Sequence, residues 1–186
     1  MNALWQILAK HWMTWPLLIP LIGAFVSPFF GRYRKGLQRI VSALFLLATV
    51  AASAYAVVQA SAIEGWHVYR VGNWSPPFGI VLVVDRLSAA FVAMTSTLGL
   101  GAFLYAIWGD DRRDAYFHFL FLVQIAGLNG AFLTGDLFNL FVFFEILLIA
   151  SYNLLVYGSG SKRVRAGIHY VGINLVGSAV FLMTLA

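Results

Sequence analysis

The sequence predicts an all-α fold, a polytopic bundle of about six membrane-spanning helices with the N-terminus outside. Three observations carry this: the composition, the spacing of the apolar stretches, and the uneven distribution of Lys and Arg between alternate loops. Of 186 residues, 61% are hydrophobic and only 10% charged, with a mean hydropathy of +0.85. A soluble domain averages roughly 25% charged residues, so a globular aqueous protein is excluded. With no cysteine, the chain has no disulfide, thiolate metal site or iron–sulfur ligation of its own.

A spanning helix needs roughly 20 mostly apolar residues, and six stretches qualify: 13–30, 37–60, 79–108, 115–134, 137–157 and 166–186. The first contains Pro16, Pro20 and Pro28 and is expected to be kinked or partly re-entrant. Residues 1–12 lack a small-residue cleavage site and read as an interfacial lead-in, not a cleaved signal peptide. The loops after spans one, three and five hold Arg32, Arg34, Lys35, Arg39, Arg112, Arg113, Lys162, Arg163 and Arg165; the other side has Lys10 and Arg70. Nine against two places those loops in the cytoplasm and explains the net charge of +5 without nucleic acid. The segment 61–78, with Trp66, Tyr69 and Trp74 among Gly, Pro and β-branched residues, predicts a short interfacial hairpin outside. No linker or repeat divides the chain, so a single transmembrane domain over 1–186 is expected.

Ionisable and amide groups inside spans are expensive, and each needs an account. Glu145 lies nine residues beyond Asp136 in the fifth span, about 13 Å deep at 1.5 Å per residue and near the middle of a ~30 Å core. No charged residue within four positions pairs with it. It is either a proton carrier or a protonated carboxyl serving as interhelical glue. Asp136, after Thr134-Gly135, suits a helix N-cap. Tyr152, seven residues past Glu145, shares its face and either supports a water near it or anchors the interface. Tyr170, Asn174 and Ser178 form a polar stripe in the sixth span, for packing or for water. His169, about one turn inside the cytoplasmic end, is a relay or an idle interfacial group. Gln124 and Asn129 in the fourth span favour tight packing. Asp85 and Arg86 suggest an outer ion pair or a snorkelling arginine. His11, His67 and His118 have no ligand-like spacing to each other or to acids, and no phosphate loop or hydrolytic triad is visible, so neither metal nor cofactor is expected.

The run Gly130-Ala131-Phe132-Leu133-Thr134-Gly135-Asp136-Leu137-Phe138-Asn139-Leu140-Phe141-Val142-Phe143-Phe144-Glu145 closely resembles the D subunit of Mrp-type multisubunit monovalent cation/proton antiporters, relatives of the antiporter-like membrane subunits of respiratory complex I. Asn73-Trp74-Ser75-Pro76-Pro77-Phe78-Gly79-Ile80, Val84-Asp85-Arg86-Leu87-Ser88-Ala89 and Arg163-Val164-Arg165-Ala166-Gly167-Ile168-His169-Tyr170 extend the resemblance over the whole chain. It implies that Glu145 matches the family's essential helix-five glutamate, which works with a lysine on a later, broken helix. Family members have about fourteen spans in two inverted repeats, whereas these residues stop in the sixth, before that lysine. The chain is therefore expected to be a fragment, a truncated product or one part of a split protein.

The function implied is that of one component of a sodium or potassium/proton antiporter of the bacterial inner membrane, partnered by the other subunits, the lipid bilayer, protons and Na⁺ or K⁺, with no nucleic acid and no enzymatic activity. Glu145 would bind the proton and His169 relay it, supported by Tyr152, Gln124, Asn174 and Asp136. The rivals are a proton-pumping component of an NADH:quinone oxidoreductase or membrane-bound hydrogenase, and a non-transporting assembly element.

Overall fold

The computed structural model describes residues 11–31, 34–62, 64–74, 79–109, 111, 116–157 and 160–185. Among them six α-helices follow one another: α1 (Trp15–Gly31), α2 (Lys35–Ala62), α3 (Arg86–Ala106), α4 (Phe117–Leu133), α5 (Leu137–Val156) and α6 (Ser161–Leu185). Five are long and apolar enough to cross a membrane, α1 together with the 3-10 turn Trp12–Thr14 that precedes it; α4, with 17 residues, is shorter. Of the expected N-terminal lead-in over 1–12, residues 1–10 lie outside the described residues, as do Arg32, Arg112 and Arg113, while Trp12 opens the 3-10 turn that runs into α1.

Helix α1 runs unbroken through Pro20 and Pro28 instead of turning back. Each proline lacks the N–H that would meet the carbonyl four residues earlier, which orphans the carbonyls of Pro16 and Ala24. The structure supplies both missing donors. Asn129 Nδ2 of α4 donates to the Pro16 carbonyl at 2.8 Å, and Ser27 Oγ donates to the Ala24 carbonyl at 3.3 Å. Side chains from within and beside a membrane helix can replace a backbone donor in this way. Asn129 also reaches Ser96 Oγ of α3 at 3.3 Å, so one buried amide joins α1, α3 and α4.

The third span begins later than the sequence suggests. Residues Val81–Val84 form a β-strand, β2, pairing antiparallel with β1 (His67–Arg70), so the hairpin's second strand comes from residues assigned to helix. A short apolar run does not distinguish strand from helix by periodicity, and three β-branched valines in four residues favour the strand. Leu82 and Val84 are buried with Met13, Ala60, Ala89, Val92 and Leu133, where the hairpin closes one end of the bundle. Asp85 then starts α3 in a reciprocal cap: its carboxylate accepts from Ser88 N at 2.7 Å and its own N–H donates to Ser88 Oγ at 2.9 Å. This cap, and not the expected ion pair with neighbouring groups, is the account of Asp85. At the other end, Leu46, Phe103, Phe117, Leu122 and Ile125 form a second cluster.

Candidate functional site

Helix α5 carries Glu145. The turn before it places Asp136 at the N-cap, its carboxylate accepting from Phe138 N at 2.7 Å and Asn139 N at 3.0 Å. The carboxylate sits at the positive end of the helix dipole, so this acid serves the helix end.

Two glycines bring α4 against α5. A Cβ at Gly127 would stand 2.9 Å from Leu147 Cβ, and one at Gly130 would stand 2.3 Å from the Phe143 ring. These antiparallel contacts set Glu145, between Phe143 and Leu147, at the height of residues 127–130 of α4. Glu145 is two residues from each contact residue, about 160° around the helix. It therefore points away from α4, while Gln124 lies about 4.5 Å beyond Gly127 toward the other end. The described helices do not bring Gln124 and Glu145 together. What the two share is an unanswered acceptor: Glu145 Oε1 and Gln124 Oε1 are shielded from solvent, with no hydrogen-bond partner among the described residues.

Helix α6 packs along another side of α5. Phe141 stacks on Phe181 with centroids 6.3 Å apart, Ser151 Oγ and Tyr170 Oη lie 2.9 Å apart, and Gly167 receives Val156. Between these contacts is a cavity of about 300 Å³ lined by Phe141, Phe144, Leu148, Asn174, Gly177, Ser178 and Phe181. The stripe of Tyr170, Asn174 and Ser178 thus faces protein and cavity. Asn174 Nδ2 donates to the Tyr170 carbonyl at 2.8 Å. Phe141 and Leu148 are one turn on either side of Glu145, so its backbone borders this cavity, although Glu145 is not among the lining residues. Tyr152 is half-buried on the same continuous helix and shares the face of Glu145.

Helix α6 starts at Ser161 with a polar first turn, which places His169 two turns from the helix start, and its side chain is exposed. The α5–α6 contacts set Glu145 level with residue 177 or so, about 12 Å along the axis from His169.

The group that sequence reasoning missed lies at the opposite end of the bundle from Asp136. Asp111, in the connection between α3 and α4, accepts from Arg39 Nε at 2.5 Å and Arg39 Nη2 at 2.8 Å. His118, one residue into α4, places Nε2 3.5 Å from Asp111 Oδ2 and Nδ1 3.0 Å from Ser42 Oγ of α2. His118 and Asp111 are buried. Separations of 72 and 76 residues hide this group from any local pattern. The available signal is a histidine and an arginine each just inside an otherwise apolar span.

No protein-family model matches the chain. Over 178 residues, 93% of this chain, it is 48% identical to the D subunit of a probable K⁺/H⁺ antiporter of Rhizobium meliloti, covering 33% of that protein. It is 40% identical over 92% of its length to the D subunit of the Na⁺/H⁺ antiporter of Alkalihalophilus pseudofirmus, covering 35% of it. The N subunit of the NADH-quinone oxidoreductase of Desulforudis audaxviator is 35% identical over 90% of the chain, again with 35% of the relative covered. Among solved structures, a chain of the Mrp complex from Dietzia sp. superimposes with a TM-score of 0.82 at 32% identity, covering 92% of this chain and 33% of that one. A chain of an archaeal membrane-bound sulfane sulfur reductase gives 0.82 at 28%, covering 92% and 35%. The chain spans about a third of the length of these relatives, and over that third it is similar to the D subunits of monovalent cation/proton antiporters and to a membrane subunit of NADH-quinone oxidoreductase.

Proposed function

We propose that this chain forms part of the proton path of a multisubunit monovalent cation/proton antiporter, with Glu145 as the proton-binding carboxyl. The observation that carries the reading is the orphaned Oε1 of Glu145, buried about halfway along α5 and turned away from the helix that packs most closely on it. A shielded carboxyl oxygen that no donor reaches is a place for a proton, a cation or a water brought by a further element. Gaining and losing that proton is the elementary act of a proton path. Asn174 and Ser178 on the neighbouring cavity, Tyr152 on the same face and Gln124 below supply hydroxyl and amide groups for water. His169, exposed on α6, serves as a cytoplasmic relay once a further surface covers it. Partners are the other subunits of the antiporter, and the transported cation is Na⁺ or K⁺, after the activities for which the two D-subunit relatives are named.

The test is cation-dependent dissipation of a pH gradient in everted vesicles from cells lacking their own antiporters. The complete antiporter assembly, the assembly with Glu145→Gln and the assembly without this chain are compared. We expect the substitution to abolish exchange while the protein still accumulates; activity that survives Glu145→Gln removes the carboxyl from the path. The similarity to a membrane component of NADH-quinone oxidoreductase supports a second reading, a proton-pumping element of a redox complex. Quinone-linked activity in the purified assembly would favour it.

A further inference from the structure

We propose that His118, with Asp111, forms a second proton-binding site, at the end of the bundle that the basic loops mark as cytoplasmic, and that its occupancy decides whether Asp111 is held by Arg39 or by His118. The site is separate from Glu145 and independent of the transport reading. Asp111 is 2% exposed and His118 1% exposed, so neither side chain can turn to water. The Arg39 side chain keeps 28% of its surface. The groups facing His118 are Asp111 from the α3–α4 connection, Arg39 and, farther out, Lys35 from α2, with Ser42 also from α2. Helix α3 offers the Phe103 ring, and Tyr157 at the end of α5 lies tilted against Phe117 beside it. Helix α1 contains no charged or histidine residue. The residues flanking Asp111, 110 and 112–115, lie outside the described residues.

With His118 neutral, one cation answers one buried carboxylate. Nδ1 accepts from the Ser42 hydroxyl, and Nε2–H points to Asp111 Oδ2, the oxygen already bonded to Arg39 Nε. When His118 gains a proton, both ring nitrogens become donors and two cations share one carboxylate. Arginine stays charged at any physiological pH, so the repulsion is relieved by movement, and the partner able to reach water is Arg39. Asp111 then closes on His118, whose Nε2 at 3.5 Å has room to shorten. The proton thus loosens the bidentate tie between α2 and the α3–α4 connection and tightens the one to α4.

The full chain has four histidines, which makes a direct reading practical. Imidazole-nitrogen NMR of histidine-labelled chain in lipid bilayers, followed from about pH 5 to 9, reports each ring's protonation. His118→Gln identifies the His118 signal. We expect His118 to titrate within that window. Arg39→Gln, which removes the competing cation, should raise its proton affinity about tenfold, and Asp111→Asn should lower it about tenfold, the size of effect a neighbouring charge exerts. A His118 signal that never changes, or a midpoint indifferent to either substitution, overturns the proposal. Should Asp111→Asn fail to fold, Arg39→Gln alone decides.

Discussion

Replacing Asn129 by leucine tests the proline account of α1 and invites its own suppressor. Leucine fills nearly the same volume but strips the Pro16 carbonyl of the donor at 2.8 Å and Ser96 of its partner at 3.3 Å, at a site with no exposure. Interhelical hydrogen bonds in bilayers average about 0.6 kcal/mol and reach about 1.7. The loss of two bonds is offset in part by removal of the unpartnered Asn129 Oδ1, so Asn129→Leu should cost about 1–2 kcal/mol. Pro20→Ala restores the N–H that the helix would aim at the Pro16 carbonyl. In that background the cost of Asn129→Leu should fall by about half, a coupling on the order of 0.6–1 kcal/mol. Equilibrium unfolding of wild type, both single variants and the double variant in mixed detergent micelles, read by far-UV circular dichroism, gives the cycle. Equal costs in the two backgrounds would refute the claim that Asn129 is present on account of the proline.

Two further outcomes are expected. Gly127→Ala should destabilise by about 1–2 kcal/mol, because its Cβ would stand 2.9 Å from Leu147 Cβ and 3.1 Å from Leu147 N, forcing backbones apart. Gly172→Ala, with nothing within 4 Å, should be neutral or gain up to about 1 kcal/mol; the same unfolding assay compares them. At the α3 cap, hydrogen bonds from Ser88 hold the Asp85 carboxyl below its ordinary range. A carboxyl depressed in the folded state contributes stability above its unfolded pKa and loses it as pH falls through the folded one. The acid limb of stability below about pH 4 should therefore flatten in Asp85→Asn, which unfolding midpoints between about pH 3 and 7 would register.

The six helices were legible because a bilayer demands long apolar runs, and that demand leaves little ambiguity in a segment such as α5. The start of α3 was less so. Val81–Val84 continues the hydropathy of the helix behind it, and only its pairing with His67–Arg70 makes it a strand. Among the functional candidates, the isolation of Glu145 and the cap at Asp136 follow from near neighbours, and the structure gives the acid an unpartnered oxygen and the cap its two donors. The Arg39–Asp111–His118 group was invisible for the opposite reason, since the ties of Asp111 to Arg39 and of His118 to Ser42 are long-range and Asp111 in sequence is one more polar residue in a charged loop. The start of α6 was less legible: the helix begins five residues before the apolar run does, because a polar first turn winds as readily as an apolar one.

The hairpin does more than close one end of the bundle. Leu82 bridges Thr134, and Gly135 N–H donates to the Val81 carbonyl at 2.9 Å, so the strand clamps the turn from which α5 departs. Toward its far end α5 meets α6 through single contacts, the Ser151–Tyr170 bond and Val156 over Gly167. A rod clamped at one end is a lever. A tilt of about 5° about Asp136 would move Glu145 by roughly 1 Å and the far end of α5, about 30 Å away, by more than twice that. Whatever pushes on the far end of α5 thus reaches the carboxyl geared down, as a displacement comparable to the difference between a hydrogen bond made and one broken.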